Sequence, residues 1–312
     1  MSKIKPEILV VGDIILDHYL YGITNRISPE APVPIVESKE QKWFLGGAAN
    51  VANNLVALRA KVTLAGVVGE DENGNLLKNL IKSKGICDFL CISKNRNTTI
   101  KTRIISSNHQ LLRIDKEDVY SISYNEEREL ITKISKSIKD FDCVIISDYN
   151  KGLLTQSLVD SLIEISNNNN IKILVDPKMP PFKKFYGAYL IKPNKKEAML
   201  ETGINIVNET TFVNASQKIQ ESTSCKEVVI TLSEDGVGVY NKTFNKIFPT
   251  NAKEIFDVTG AGDTFIATLA YSIAKGKSIV ESCVIANYAS GVVIGKYGCA
   301  TIDYLEIESM IK

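Results

Sequence analysis

The chain has 312 residues, 44% hydrophobic and 23% charged, which is the make-up of a globular protein long enough to bury a substantial core. Lys+Arg 37 against Asp+Glu 36 leaves a net charge of +1, so no global field draws it to nucleic acid or to an acidic membrane surface. Six cysteines, at 87, 91, 143, 225, 283 and 299, include no CxxC pair; no signal-peptide core precedes Glu7 and no apolar run reaches membrane length, so a cytoplasmic protein with reduced, mostly buried thiols is expected.

Ile8-Leu9-Val10-Val11, ending in Gly12-Asp13, reads as a buried strand of a parallel sheet. Residues 14–45 break that pattern. Pro29, Pro32 and Pro34 exclude a helix, while Val33–Glu37 and Lys42–Leu45 read as short strands, which together suggest a small β flap inserted after the first strand. Gly46-Gly47-Ala48-Ala49-Asn50 opens a helix running to about Leu58. From Lys61 the chain alternates strand and helix: Val62–Val68, then Asn73–Lys84 closed by Gly85. Thr98–Ile105 and His109–Ile114 form an expected hairpin. Glu126–Lys139 is an amphipathic helix, Cys143–Ser147 a buried strand and Leu154–Ser166 a helix, followed by the polar loop Asn167–Asn170. Ile171–Val175, Tyr189–Ile191 and Val228–Leu232 are further strands, Gly236–Tyr240 with Lys246–Phe248 an edge hairpin, and roughly 260–275 and 278–295 two helices.

Four strand ends carry Asp or Asn just past the last apolar residue: Asp13, Asp148, Asp176 and Asn194. In open α/β sheets the ligand crevice lies outside the carboxyl ends of the strands. The expected fold is therefore a doubly wound, mostly parallel α/β sheet with helices on both faces, one domain over 1–312, with the flap at about 14–45.

The chemistry concentrates in Asp257-Val258-Thr259-Gly260-Ala261-Gly262-Asp263-Thr264-Phe265, where small residues let the backbone approach a ligand at a helix start. Asp257 or Thr259 is expected to cap that helix, and its first N–H groups make an anion site. Asp263, beside them, repels phosphate but suits the proton of an attacking hydroxyl. A plain strand–helix turn competes with this reading, as packing competes with function for Gly46-Gly47. No GxxxxGK[ST] occurs and no G-x-G-x-x-G follows the first strand, which argues against a P-loop enzyme or a dinucleotide-binding dehydrogenase. Asp13 and Asp17 are candidates for sugar hydroxyls, with surface turn carboxylates as the competing reading.

Gly46–Asn50 and Asp257–Asp263 together resemble the two signatures of the ribokinase-like (PfkB) carbohydrate kinases, with the spacing of that family. Within it, Val11–Asp17, Ile27–Pro34, Gly46–Ala52, Ser147–Gly152, Asp176-Pro177-Lys178 and Ala286–Gly298 are similar to the blocks of bacterial heptose 7-phosphate kinases, Ser28–Pro34 most specifically. The resemblance implies transfer of the γ-phosphate of ATP to the anomeric hydroxyl of D-glycero-β-D-manno-heptose 7-phosphate, on the route to ADP-heptose for lipopolysaccharide. Bifunctional relatives carry an adenylyltransferase after the kinase, and this chain, stopping at Lys312, resembles the kinase alone.

Carried over residue by residue, Asp263 is the expected base and Gly260, Ala261 and Gly262 the anion hole. Asn194 and Glu197 are expected to organise Mg²⁺. Asn287 and Gly291 would wrap adenine, and Gly236 lies beside the nucleotide, with Asp257 and Lys151 also on the nucleotide side. Gly46, Gly47 and Asn50 would approach the sugar. Gly295–Cys299 falls where some members bind a monovalent cation such as K⁺. A phosphorylated sugar needs a cationic grip on its far phosphate, for which Lys101, Arg103 and Arg113, with Gln110 between, are candidates on the 98–114 hairpin; Lys178 and Asp148 lie in the crevice. A solvated strand face is the competing reading for the hairpin. Flaps of this family often pair between subunits, so the resemblance implies a homodimer. A kinase for fructose, ribose, a nucleoside or fructose 1-phosphate, and a non-catalytic ligand-binding regulator on the same scaffold, stay open as alternatives. Arg59 stands where the first signature has Gly or Ser, and Thr268 where the second has Ala or Gly.

Overall fold

A computed structural model describes residues 5–107, 109–250, 259–296 and 300–311. Short apolar runs form its strands, in chain order β1 (Glu7–Gly12), β2 (Ile14–Ile27) and β3 (Pro34–Gly47), before the first helix α1 (Ala48–Ala57). Then come β4 (Lys61–Gly69), α2 (Glu72–Ser83), β5 (Cys87–Ser93), β6 (Thr99–Ser106), β7 (His109–Lys116) and α3 (Tyr124–Ser137). The middle of the chain gives β8 (Cys143–Ser147), α4 (Gln156–Asn168), β9 (Lys172–Asp176), β10 (Leu190–Ile191), α5 (Lys195–Thr202) and α6 (Glu209–Thr223). It closes with β11 (Glu227–Thr231), β12 (Val237–Asn241), β13 (Phe244–Phe248), α7 (Ala261–Ala274), α8 (Ile279–Val293) and α9 (Tyr304–Ile311).

Among the described residues these strands make two sheets. The larger has nine strands in the order β13-β12-β11-β10-β9-β8-β1-β4-β5. From β11 to β5 every neighbour is parallel, while β12 and β13 run antiparallel at one edge. Alternate residues of β1 enter opposite cores, as strand geometry requires. Ile8 and Val10 pack with Leu55 of α1, Phe265 of α7 and Ala286 of α8. Leu9 and Val11 pack with Leu130 of α3, Leu158 of α4 and Phe212 of α6. Helices thus cover both faces, and the doubly wound sheet expected from the sequence is present. The chain winds outward from β1 in both directions, to β4 and β5 on one side and from β8 to β11 on the other, so the topological switch lies between β1 and β8.

The flap is larger than its expected 14–45 extent. It is a four-stranded sheet, β3-β2-β6-β7, so the hairpin expected at 98–114 belongs to it. Residues 33–45 do not hold two short strands: β3 runs unbroken to Gly47 and pairs with β2 nearly throughout. The β2–β6 pairing is parallel, from Ile15↔Thr99 to Gly22↔Ser106, and ties the two halves of the flap together.

Six helices (α2, α3, α4, α5, α6 and α8) open on a polar side chain that accepts a first-turn N–H. Helices α1 and α7 open on Gly47 and Gly260 with no side-chain cap. Gly260 is the N-cap of α7, in the left-handed region at φ 81, so Thr259 does not hold that position; Asp257 lies outside the described residues. The two uncapped starts are those of the two glycine motifs.

Of the two departures from the family pattern, Arg59 follows α1 with φ 66 and stacks its guanidinium over the Tyr304 ring at 4.7 Å, which offsets the cost of the left-handed conformation. Thr268 is fully buried on α7, and its hydroxyl has no partner among the described residues. Thr268→Val, which keeps the volume and removes the unsatisfied hydroxyl, is expected to raise stability by about 1 kcal/mol, seen as a higher Tm. A lower Tm would show that the hydroxyl is satisfied after all.

Candidate active site

The parallel strands deliver their following residues to one end of the sheet. Asp13 follows β1, Asp148 follows β8, Asp176 ends β9 and Lys192 follows β10. The start of α7 faces this end, and Asp263 stands in its first turn.

Both oxygens of Asp263 are held. Asn50 donates from Nδ2 to Oδ2 at 2.7 Å, and the Tyr149 hydroxyl donates to Oδ1. Asn50 is fixed in turn: Asn54 Nδ2 donates to its carbonyl at 2.9 Å, and Thr264 Oγ1 donates to Asn54 Oδ1 at 2.9 Å. Burial raises the Asp263 carboxyl above the usual carboxylate range. Hydrogen bonds from Tyr149 and Asn50 and the Lys192 charge oppose this, while the Asp17 charge adds to it.

Beside the base lies the inner face of the flap. Gly46 carries no side chain because a Cβ there would stand 2.4 Å from Asp17 Oδ2. Asp17 pairs with Arg103, whose guanidinium sits 5.1 Å over the Tyr19 ring. Lys101 is opposite Asp17 in the strand register and places Nζ 5.9 Å over the Tyr149 ring. Burial pushes the Lys101 ammonium below its ordinary value, with Asp17 opposing.

On the other side of Asp263 opens a cleft of about 1040 Å³, lined by the α7 start, Lys192, Asn194, Glu197, Gly236, Asn287 and Gly291. That volume suits a ligand of nucleotide size. Lys192 is 3% exposed and pairs with Asp176 at 2.9 Å. Its Nζ lies 3.9 Å from where a Cβ would stand on Gly262, which brings a cation to the uncapped helix start. Burial and the Glu197 charge hold the Asp176 carboxyl up to about 7, against the lowering effect of Lys192. Asn194 and Glu197 form a capping box on α5: Asn194 Oδ1 accepts from Glu197 N at 2.9 Å, and Glu197 Oε2 from Asn194 N at 2.8 Å. Each oxygen keeps a further lone pair. One carboxylate and one amide, with no cluster of three metal-type side chains among the described residues, fit a hydrated Mg²⁺ held partly through water.

Two groups of residues therefore meet at one carboxylate, the charged side chains Asp17, Lys101 and Arg103 of the flap and a nucleotide-sized cleft with an open helix start. The family model for pfkB family carbohydrate kinases matches residues 5–305. The chain belongs to the pfkB family. Among similar pfkB proteins, the bifunctional protein HldE of Sulfurimonas denitrificans is 47% identical over 309 residues, 99% of this chain and 65% of that protein. HldE of Helicobacter pylori is 43% identical over 302 residues, 96% of this chain and 65% of that protein. The chain thus spans just under two thirds of the length of these relatives. Among solved pfkB-type structures, Arabidopsis thaliana ribokinase with ribose and ATP superposes with TM-score 0.77, at 19% identity, covering 99% of each chain. Escherichia coli phosphofructokinase-2 with potassium gives TM-score 0.80 at 17% identity, covering 98% of each. At that identity the likeness establishes the fold.

The pfkB site gathers most of the residues expected from sequence, with exceptions. Asp13 is engaged by backbone: its carboxylate accepts from the N–H groups of Tyr149, Lys151 and Leu153 at 2.9, 3.1 and 3.2 Å, and burial raises its carboxyl while those amides lower it. Lys151 leaves the nucleotide side and pairs with Glu117 at 2.7 Å. Arg113 forms a two-point pair with Asp115 at 2.8 and 3.0 Å on the exposed strand β7, where Gln110 is exposed too. Lys178 lies in the nucleotide cleft near Glu197, at 3.4 Å, apart from Lys101 and Arg103. Asp148 lines the same cleft and accepts from Asn150 N at 2.7 Å. Asn287 donates to the Pro249 carbonyl at 2.8 Å at the cleft wall. Of the Gly295–Cys299 turn, Tyr297–Cys299 lie outside the described residues.

Four residues of the site were not singled out from sequence: Tyr149, Asn54, Lys192 and Thr264. Lys192 stood in plain view, a lysine between a buried strand and Pro193-Asn194. The roles of Asn54 and Thr264 depend on each other across 210 residues and have no local signal.

Proposed function

We propose that this chain is an ATP- and Mg²⁺-dependent kinase that phosphorylates the anomeric hydroxyl of D-glycero-β-D-manno-heptose 7-phosphate, giving the 1,7-bisphosphate. The observation that carries the phosphotransferase reading is Asp263, held by Asn50 and Tyr149 between the charged residues of the flap and the nucleotide cleft. The sugar rests on the HldE relatives and on the cationic pair Lys101 and Arg103 under the flap.

In the proposed reaction Asp263 accepts the proton of the anomeric hydroxyl as its oxygen attacks the γ-phosphorus in line. The new O–P bond forms, the bond to the β,γ-bridging oxygen breaks, and ADP leaves. The first-turn amides of α7, from Gly260 to Gly262, and the Lys192 ammonium meet the charge on the transferring group. Asn194 and Glu197 would hold Mg²⁺, which neutralises charge on the β- and γ-phosphates when bound. Asn287, Gly291 and Gly236 shape the adenine end. Lys101 and Arg103 grip the distal phosphate, and the flap excludes water that would otherwise hydrolyse ATP. An ATP donor fits a reaction in the cytoplasm. Among the described residues no helix is long and apolar enough to cross a membrane.

The far face of the flap supports a homodimer. Leu112 and Ile114 are 54% and 52% exposed there, beside His18 stacked on Trp43 at 3.7 Å. A dimer on size-exclusion chromatography with light scattering that dissociates in Leu112→Lys/Ile114→Lys protein is the expected result.

An ADP-release assay over a sugar panel tests the substrate. The heptose 7-phosphate is expected to exceed fructose, ribose and fructose 1-phosphate in kcat/KM by about 10²-fold or more, since sugars without the matching phosphate forgo its charge-assisted contacts with Lys101 and Arg103. Fast turnover of free fructose with none of the heptose 7-phosphate would replace this sugar by another. Tight binding without ADP release would make the chain a regulator.

A further inference from the structure

We infer that Tyr149 is a positioning residue for the base, fixing the plane and the ionised state of the Asp263 carboxylate and joining it to the flap. The inference rests on the reading of Asp263 as the base.

The phenol reaches Asp263 from the loop after β8. That loop is over-determined. Asp13 gathers its amides at Tyr149, Lys151 and Leu153, and Asn150 takes the left-handed conformation at φ 55 while donating to Asp148. The buried carboxylate expected to meet sugar thus builds the support for the phenol. A loop with this many fixed points holds its side chain to the tolerance that a catalytic hydrogen bond needs.

Two donors act on Asp263 from different sides, Tyr149 on Oδ1 and Asn50 on Oδ2. One donor alone leaves a carboxylate free to turn about its last torsion. Two, on different oxygens, fix its plane and leave one lone pair on each oxygen for an incoming hydroxyl. Both favour the charged form, and only the charged form can take a proton. The charged groups acting on this carboxylate are Lys192, which favours ionisation, and Asp17 and Asp176, which oppose it. In that setting the phenol stays a donor, since burial and the charges of Asp263 and Asp176 push its own ionisation well up. The same ring carries the Lys101 ammonium of the flap over it, at 5.9 Å from its centroid. One aromatic ring thereby touches both the base and the strand that closes over the sugar.

Tyr149→Phe removes the donor and keeps the ring. The expected result is a kcat lower by about 10- to 100-fold, a KM for ATP within about twofold, and an acid limb of kcat/KM displaced to higher pH by about one unit, because a donor to the charged form has gone. Site-specific replacement of Tyr149 by 3-fluorotyrosine, nearly the same shape with a stronger donor, is expected to move that limb to lower pH, and it serves if the phenylalanine variant folds poorly. An unmoved acid limb in both proteins, with kcat within about threefold of wild type, would overturn the inference. Asp263→Asn run alongside separates the two levels: if it is inactive while both Tyr149 variants behave as wild type, the base stands and the positioning role falls. If Asp263→Asn is active, the base reading fails first and this inference with it.

Discussion

Asp263→Asn protein is expected to lose about 10²–10⁴ in kcat while binding ATP with nearly unchanged KM. The amide keeps the shape of the carboxylate, and its oxygen and NH₂ can still meet Asn50 and Tyr149, so a folded protein is expected. What disappears is the proton acceptor. The pH profile of the wild type carries the same information. Burial raises the Asp263 carboxyl, so the base is lost as pH falls through a value above the usual carboxylate range, and kcat/KM declines on that side. In Asp263→Asn protein the residual rate loses this acid limb, which distinguishes removal of a base from general damage to the site.

Lys192→Met is expected to cost about 10²–10³ in kcat, the share of a preorganised charge facing the transferring phosphoryl group. The methionine fills the space of the lysine stem, but Asp176 is then left without its partner at 2.9 Å. Breaking a buried pair from one side destabilises by about 3–5 kcal/mol, so this single variant is expected to melt early. Lys192→Met/Asp176→Asn, which leaves no orphan carboxylate, is expected to recover much of the stability and none of the rate. Recovery of both would assign Lys192 to folding alone.

The fold was legible where signals are local. Ile8–Val11, Cys143–Ser147 and Ile171–Val175 are apolar runs that end in Asp, and they proved to be adjacent parallel strands with those carboxylates at one end. The glycine motifs are legible from their small residues, not from their caps: a cap is expected at α7, yet α1 and α7 are the two of the eight helices from α1 to α8 that lack a side-chain cap. Distance in sequence hid the rest. The flap looked like residues 14–45 because its other half begins at Thr99, and nothing in either segment announces a parallel pairing of Ile15 with Thr99. Helix α6 was overlooked although Phe212, Ala215 and Ile219 carry its buried face at helical spacing. A strand-end carboxylate suggests a ligand contact, but the Asp13 carboxylate accepts from three backbone amides instead. Tyr149 lies inside the Ser147–Gly152 block, yet its partner is 114 residues further on. The nature of the base and the anion site could be read from residue types. The devices that orient them are long-range and appear only once the chain is folded.

The most direct measurement is ³¹P NMR of the protein incubated with ATP, Mg²⁺ and D-glycero-β-D-manno-heptose 7-phosphate. A second sugar phosphate resonance, coupled to the anomeric proton and growing in step with ADP, is the predicted result. ADP and inorganic phosphate without a new sugar phosphate, or phosphate appearing at another carbon, would contradict the account.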